Sequence, residues 1–333
     1  GRGHLLGRDA RGVEMIEGRH DDVCDMYGPY MEKVAEATAD AGLRAVLSRG
    51  IIGVAPDGDA KIEENVALYK DFHGAADGRI TVMFGPHAPY TCPPDFLKKV
   101  AKTAQSLGAE VHIHMAETKA EIEQITKAYG KRPFRYVEET GLFDGKGTLA
   151  AHCVHLDEED IAIIKKHGIR VAHNPGSNMK LASGVAPVPR LLKEGVCVAL
   201  GTDGASSNNN LDMLEEINLA AMLHKVSTLD PLAVPARTAL KMGTEYGAQA
   251  VGLTGVGKLE AGCKADITLF DMDGAAWYPR NDLASLLVYS AHADSASTVL
   301  VDGKVLMEDK ELLTLDKERI FYEAQKCAER LTK

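Results

Sequence analysis

The sequence predicts an α/β fold: a (β/α)8 TIM-type barrel followed by a small β-sandwich-like domain. Apolar strand-like runs alternate with amphipathic helical stretches and short loops, an order typical of a parallel sheet covered by helices. Polar residues follow several of these strands, at the C-terminal ends where the active sites of such barrels gather. After Gly255 the strands become short and follow one another without helices, which predicts the β domain.

Seven barrel strands are predicted, and they begin near residues 23, 44, 80, 110, 148, 169 and 196. Apolar periodicity and stop signals such as Gly108 predict helices over residues 31–42, 62–72, 94–107, 119–129, near 137, 158–167, around 191, 211–224 and 233–247. A closed barrel needs eight strands. The first strand is therefore either missing from this chain or hidden near its start.

The chain divides into three predicted parts. Residues 1–22 show no sustained period and stay an unassigned N-terminal stretch, and residues 23–254 form the barrel. Residues 255–333 form a small C-terminal β domain with a terminal helix near 316–331. Within this last part Asp302 and Gly303 stand between two apolar runs, which is a strong hairpin signal.

Composition narrows the class of partners. The 38 Lys and Arg residues against 48 Asp and Glu residues give a net charge of −10, which argues against nucleic acid or an anionic membrane as a partner. No apolar run approaches the roughly 18 residues that a membrane span requires. The six cysteines are scattered without a closely spaced pair, which favours a reduced, cytoplasmic enzyme.

The most informative stretch is 110–117, Glu-Val-His-Ile-His-Met-Ala-Glu. In a strand its apolar residues face one way and both His112 and His114 face the other. Glu117 follows where the strand gives way to a helix, so an imidazole and a carboxylate meet at the strand's C-terminal end. The alternative is a pair of buried, hydrogen-bonded histidines and a glutamate that the helix dipole favours.

Imidazoles and carboxylates on separate strands can hold a divalent metal, which lowers the pKa of bound water. His114 and Asp203 could be ligands, and Glu117 could be a proton shuttle that is not itself a ligand. Asp203 lies between Thr202 and Gly204, in a turn whose glycines let the carboxylate emerge into the barrel mouth. The alternative for Asp203 is a turn aspartate that caps the next helix.

Four ordered motifs carry a family resemblance. They are His114-x-x-Glu117 and the runs at 149–156 (LAAHCVHL), 173–178 (HNPGSN) and 201–208 (GTDGASSN). Together they resemble the amidohydrolase superfamily, and most closely its branch of 5-methylthioadenosine/S-adenosylhomocysteine deaminases and related chlorohydrolases. The runs at 85–90 (GPHAPY) and 47–50 (LSRG) fit the same branch.

The resemblance implies a metal-dependent hydrolytic deaminase. Its substrate would be an adenosine derivative, namely S-adenosylhomocysteine, 5-methylthioadenosine or adenosine, and its products the inosine derivative and ammonia. His114 would be a metal ligand, and Asp203 a ligand that also takes a proton from the metal-bound water. Glu117 would protonate the purine ring nitrogen. Zinc is the expected metal, with iron or manganese as alternatives.

Three further residues are assigned by the same resemblance. His152 would hold and polarise the attacking water, His87 would contact the nucleoside, and Arg49 would reach an anionic tail of the substrate. A core histidine is the alternative for His152, and a surface ion pair for Arg49. His173 and Asn178 are expected to shape the loop after the seventh strand, outside the site. The resemblance also suggests a homo-oligomer that acts on a small-molecule purine nucleoside.

The sequence departs from this family at one motif, because no His-x-His precedes Val23. In the family that motif supplies two further metal ligands from the first strand. Either those residues lie outside the sequence given, or the metal site is incomplete and binds metal poorly. Two other functions therefore stay open: hydrolysis of another heterocycle such as a triazine or guanine, and a truncated inactive barrel that only binds ligand. Amide hydrolysis is a third possibility.

Overall fold

The structure is a computed structural model, and it describes residues 22–26 and 30–331. The N-terminal stretch that the sequence left unassigned lies outside these residues, apart from Asp22, which begins the first strand.

All seven predicted parallel strands are present. They are β1 (Asp22–Asp25), β2 (Arg44–Leu47), β4 (Ile80–Val82), β6 (Val111–Met115), β7 (Thr148–His152), β8 (Arg170–His173) and β9 (Val198–Leu200). Two very short strands, β3 (Gly50–Ile51) and β5 (Gly85–Pro86), extend the ladder beyond β2 and β4.

The seven strands pair in chain order. One parallel sheet has the order β1-β2-β4 and a second has the order β6-β7-β8-β9. A parallel bridge between Phe84 and Val111 joins the end of the first sheet to the second, and Phe84 both donates to Glu110 and accepts from His112. The C-terminal ends of the strands therefore lie along one edge, where the loops that carry the candidate site residues begin.

The described helices comprise every predicted helix and four short ones that the sequence did not predict. They are α1 (Met31–Ala41), α2 (Gly58–Phe72), α3 (Ala75–Gly78), α4 (Pro94–Leu107), α5 (Lys119–Tyr129), α6 (Pro133–Glu138), α7 (Glu158–His167), α8 (Pro175–Lys180), α9 (Val188–Lys193), α10 (Ala205–Asn208), α11 (Met213–Thr228), α12 (Ala236–Met242), α13 (Glu245–Ala250), α14 (Leu283–Tyr289) and α15 (Lys317–Leu331). Helix α4 shows why the boundaries could be predicted: Pro94 starts it and Gly108 ends it at a φ of 63°.

One predicted helix is divided. The segment 233–247 forms two helices, α12 and α13, because Thr244 leaves the helical region at φ −132° and ψ −91°. At the division Gly243 packs so closely on Ile217 of α11 that a Cβ would lie 2.6 Å from its Cδ1. The close approach of two helices, which the periodicity does not encode, explains the break.

The C-terminal part forms one antiparallel sheet of β10 (Ile267–Phe270), β11 (Ala296–Val301), β12 (Lys304–Glu308) and β13 (Glu311–Leu312). The predicted hairpin is confirmed, since Asp302 and Gly303 both have positive φ angles, 50° and 80°, between β11 and β12. Arg44 of β2 donates two hydrogen bonds to Asp266, at 2.8 and 3.0 Å, and this buried pair fixes the antiparallel sheet to the parallel one.

The main apolar core lies between the β6–β9 sheet and its helices. Phe84, Ile113 and Leu97 are fully buried within it. Within residues 22–26 and 30–331, none of the helices combines the length and apolar character that a membrane span requires.

Candidate active site

Left-handed backbone conformations occur at the C-terminal ends of three strands. Ala116 follows β6, His152 ends β7 and Asp203 follows β9, and their φ angles are 52°, 72° and 62°. Residues other than glycine adopt this left-handed region at a cost, which the surrounding structure must impose. Because such strain clusters at functional sites, the observation favours this edge of the sheet as the active site.

Three of the predicted site residues come together at this edge. His152 Nε2 lies 3.9 Å from Glu117 Oε2 and 4.0 Å from Asp203 Oδ2. These separations are too long for direct hydrogen bonds. One imidazole therefore faces two carboxylates from different strands, at a spacing suited to a small reacting group between them.

Among the described residues, one hydrogen bond holds the Glu117 side chain. Ser183 donates its hydroxyl hydrogen to Glu117 Oε1 at 3.2 Å, while Oε2 faces His152. The Glu117 side chain keeps 19% of its surface accessible, so a ligand can reach it. Its position is compatible with the shuttle role predicted for it.

Asp203 is anchored through both oxygens. Ser177 donates to Oδ2 and the Gly204 N–H donates to Oδ1, each at 2.6 Å. Helix α10 begins after Gly204 and receives no side-chain cap. The alternative in which Asp203 merely caps the next helix therefore finds no support in the hydrogen bonding.

Asn178 was expected outside the site, but the structure places it against His152. Its Oδ1 lies 2.9 Å from His152 Nδ1. Because an amide oxygen only accepts, Nδ1 carries the proton of the neutral ring and Nε2 presents a lone pair toward the two carboxylates. Sequence reasoning missed this contact because the two residues are 26 positions apart.

His114 is oriented in the way that metal-ligating histidines usually are. Its Nδ1 lies 2.7 Å from the carbonyl oxygen of His87, so Nδ1 donates and Nε2 carries the lone pair. Its ring lies 5.5 Å from that of His152. Burial, followed by the neighbouring histidines, lowers its pKa well below the ordinary value, so the ring stays neutral.

His112 also joins the cluster, although no role was assigned to it. Its ring centre lies 5.8 Å from that of His114. Its pKa is lowered to about 4, mainly by burial and also by His152, while the charge of Asp203 opposes the change. The strict alternation of residues 111–115 had predicted that His112 and His114 face the same way, and the contact between their rings confirms it.

His87 lies beside the cluster, and Arg49 lies apart from it. The ring of His87 is 5.2 Å from that of His114, and its Nδ1 lies 3.0 Å from Thr91 Oγ1. Arg49 donates to Glu64 Oε2 at 2.6 Å. Among the contacts of the described residues, none joins Arg49 to Glu117, His152 or Asp203.

His173 is the last residue of β8, but its side chain contacts His224 and not the cluster around His152. Its Nε2 lies 3.1 Å from Nε2 of His224 on α11. Both rings are fully buried, and burial lowers the pKa of His224 to about 4 and that of His173 well below its usual value. A neutral pair of histidines thus ties β8 to α11.

Glu216 is a buried carboxylate that sequence reasoning did not single out. It accepts from the Gly176 N–H at 3.0 Å and from Asn208 Nδ2 at 2.8 Å. These bonds join α8, which follows β8 and carries Ser177, to α10, which follows Asp203. Burial raises the pKa of Glu216 to about 7.

Glu216→Gln should change how protein stability depends on pH. The folded pKa, about 7, exceeds the ordinary value of 4.5, so the folded state binds more protons between these values. Ionisation of Glu216 therefore costs stability as the pH rises, by up to about 3 kcal/mol, and glutamine does not ionise. Urea unfolding between about pH 5 and pH 8 should show the wild type losing stability relative to the variant.

The matched control for this measurement is Glu123→Gln, on the exposed side of α5. It should leave the pH dependence of unfolding unchanged. A stability difference between wild type and Glu216→Gln that stays constant across the pH range would contradict the raised pKa of Glu216 in the folded protein.

The candidate metal ligands can be tested against their chemistry. His114 presents a neutral imidazole and Asp203 a carboxylate, and both donor types suit zinc. Among the residues that the structure describes, however, no three His, Cys, Asp or Glu side chains form a group able to hold a metal ion. The donor types fit a divalent metal, while the described residues alone do not make a complete ligand set.

Parallel strands with imidazoles and carboxylates at their C-terminal ends define a hydrolase-type site, and similarity to known proteins gives the family. Residues 10–306 match the amidohydrolase family. The chain belongs to this family, and the resemblance inferred from the four motifs is confirmed.

Relatives and solved structures support the same branch. The chain is 53% identical over 319 residues to the 5-methylthioadenosine/S-adenosylhomocysteine deaminase of Pelotomaculum thermopropionicum, covering 96% of this chain and 73% of that protein. An adenosine deaminase from Xanthomonas campestris with bound zinc superposes with a TM-score of 0.94 at 31% sequence identity. The match covers 98% of this chain and 75% of that one. Atrazine chlorohydrolase TrzN from Arthrobacter aurescens with zinc superposes with a TM-score of 0.89 at 26% sequence identity. The match covers 97% of this chain and 76% of that one.

Proposed function

We propose that this protein is a hydrolytic deaminase of adenosine derivatives. It replaces the 6-amino group of S-adenosylhomocysteine, 5-methylthioadenosine or adenosine by oxygen and releases ammonia. The deaminase relative at 53% identity and the adenosine deaminase at a TM-score of 0.94 support this function. The observation that carries it is the convergence of His152 Nε2 on Glu117 and Asp203.

Glu117 acts as the proton donor. Carbon 6 of adenine is a poor electrophile until the neighbouring ring nitrogen is protonated, so a positioned general acid is required. Glu117 Oε2 faces the interior of the cluster while Ser183 fixes Oε1, which leaves one oxygen to carry and transfer the proton. The same residue then assists departure of the amino group as ammonia.

His152 and Asp203 position the attacking water. The lone pair on His152 Nε2 accepts a hydrogen bond from the water, because Asn178 keeps the proton on Nδ1. Asp203 Oδ2, 4.0 Å from that nitrogen, takes a proton as the water oxygen bonds to carbon 6. The remaining hydroxyl proton returns to Glu117 as the oxygen on carbon 6 becomes a carbonyl, and the proton on Asp203 passes to the amino group. The carbon–nitrogen bond breaks and ammonia leaves, so the net reaction consumes one water and yields one ammonia.

The proposed cofactor is one divalent metal ion, zinc in the first instance, with iron or manganese as alternatives. His114 Nε2 and Asp203 would hold it. When bound, the metal makes hydroxide available near neutral pH. Zinc in the neighbouring adenosine deaminase and chlorohydrolase structures supports this choice of metal.

Removal of metal should abolish deamination without unfolding the protein. Dialysis against a chelator is expected to reduce ammonia release by at least about 100-fold, since the water loses its activation. Added zinc should restore the rate. Circular dichroism shows whether the metal-depleted protein stays folded. As a separate check on the ligand, metal analysis of His114→Ala should show less zinc than the wild type. Full activity in metal-depleted protein would contradict the metal requirement.

Substrate contacts are proposed for Glu117, His87 and Arg49. His87 lies beside His114 and next to Tyr90, where it can meet the nucleoside. Arg49 would reach an anionic tail of the substrate, in exchange for its present ion pair with Glu64. The molecule that these residues bind is a small purine nucleoside. We propose no binding to nucleic acid or to a membrane.

We further propose the larger architecture that surrounds the site. The consecutive parallel sheets are taken as arcs of one closed (β/α)8 barrel over 23–254, and the antiparallel sheet as part of a β-sandwich-like domain over 255–333. The adenosine deaminase neighbour, which covers 98% of the chain, supports this arrangement. A homo-oligomer and a cytoplasmic location stay predictions from the sequence.

A second candidate function is hydrolysis of another heterocycle, which the similarity to atrazine chlorohydrolase favours. Ammonia and chloride release from the three adenosine derivatives, guanine and a chlorotriazine separates the two candidates. Turnover confined to the adenosine derivatives is expected. Turnover confined to guanine or the triazine would replace the proposed function, and ligand binding without any turnover would favour the inactive barrel.

A further inference from the structure

A buried carboxylate outside the predicted site is directed at the backbone that carries Glu117. Glu121 lies in the first turn of α5 and is 3% exposed. Its Oε1 accepts from the Ala116 N–H and its Oε2 from the Glu117 N–H, both at 2.8 Å. One carboxylate thus binds two successive backbone amides between the strand end and the helix.

This arrangement differs from ordinary helix capping. In a capping box the third helical residue accepts from the backbone N–H of the N-cap residue. Helix α7 of the same chain does so, since Asp160 accepts from the N–H of Asp157. In α5 the N-cap is Thr118, whose hydroxyl accepts from the Glu121 N–H, and the Glu121 carboxylate also interacts with the Thr118 N–H. Its two 2.8 Å hydrogen bonds, however, go beyond the cap, to the amides of Ala116 and Glu117.

Ala116, the residue before Glu117, is held through both of its backbone polar groups. Glu121 binds the Ala116 N–H, and the Ala116 carbonyl oxygen accepts from the N–H groups of Val154 and His155 at 3.1 and 2.9 Å. Ala116 is thereby held in the left-handed region, at a φ of 52°. This strained conformation decides the direction in which the next side chain, Glu117, leaves the strand.

We propose that Glu121 is a positioning residue for the general acid, whose bidentate hold on the amides of Ala116 and Glu117 aims the Glu117 carboxyl at the substrate ring nitrogen. Burial raises the pKa of Glu121 to about 7, and these two hydrogen bonds oppose the rise because they stabilise the charged carboxylate. The inference rests on the proposed function, because it gives Glu117 the part of proton donor.

A double-mutant cycle tests this role. Glu121→Gln keeps the shape of the side chain but places an amide NH₂ against one of the two backbone donors. We expect it to lower kcat by about 10- to 100-fold with KM changed less than about threefold, because an acid that is misaligned by a fraction of an ångström transfers its proton less efficiently. In a Glu117→Gln background the same change should lower the residual kcat less than about twofold.

The control is Glu123→Gln, an exposed glutamate two positions along the same helix, which should leave kcat unchanged in both backgrounds. A fall in kcat of equal size with and without Glu117 would overturn the inference, as would an unchanged kcat in Glu121→Gln. If circular dichroism shows that Glu121→Gln does not fold, the cycle is repeated with Glu121→Asp, which keeps the charge, and the same criteria apply. Absence of ammonia from the wild type would instead refute the proposed function.

Discussion

Glu117→Gln should lower kcat for adenosine-derivative deamination by about 1,000-fold, within the range that general acid catalysis contributes. Glutamine keeps the size of the side chain and an oxygen that can accept from Ser183, so the local structure should persist. It cannot deliver a proton to the ring nitrogen. Steady-state ammonia release and zinc content measure the effect, and zinc content should stay at the wild-type level.

The matched control is again Glu123→Gln, which lies on the exposed face of α5. A kcat for Glu117→Gln within about threefold of the wild type would mean that another group supplies the proton. A parallel loss of zinc would mean that Glu117 is a ligand rather than a shuttle.

Asp203→Asn should be at least as damaging, with kcat lowered by at least about 1,000-fold, because it removes the proton acceptor and a proposed ligand together. Both carboxylate oxygens of Asp203 accept hydrogen bonds, from Ser177 and from Gly204. An asparagine must place its NH₂ against one of these donors. In contrast to Glu117→Gln, this variant should also lose zinc.

Asp95→Asn serves as its control, since Asp95 is almost fully exposed at the start of α4. It should keep both activity and metal. Retention of a full zinc content by inactive Asp203→Asn would assign Asp203 to proton transfer alone, and normal turnover would remove it from the mechanism.

The sequence predicted well whatever depends on local pattern. Period-two alternation located β6 and the shared direction of its two histidines, and the Pro94 and Gly108 signals located both ends of α4. The parallel order of the strands followed from their alternation with helices. Convergence of Glu117, His152 and Asp203 could be predicted because each stands at or just after the end of a strand, and those strand ends meet at the same edge.

The sequence could not predict contacts that depend on how distant segments pack. Asn178 contacts His152 across 26 positions, and Glu216 joins α8 and α10, which are separate in the chain. Arg49 was predicted to reach an anionic tail of the substrate, with an ion pair as the alternative, and Glu64 of α2 is the partner that the sequence could not name. The division of the segment 233–247 into two helices likewise depends on the packing of Gly243 against α11. None of these contacts produces a recognisable pattern of neighbouring residues in the sequence.

The most direct test of the central claim is the reaction of the zinc-supplemented protein with S-adenosylhomocysteine in oxygen-18 water, followed by mass spectrometry and an ammonia assay. We predict the inosine derivative, with one oxygen-18 atom at carbon 6 and one ammonia released for each product molecule. Recovery of unchanged substrate from protein that is folded and carries zinc would contradict the assignment. The cluster of Glu117, His152 and Asp203 would then belong to a protein that acts on a different substrate or only binds one.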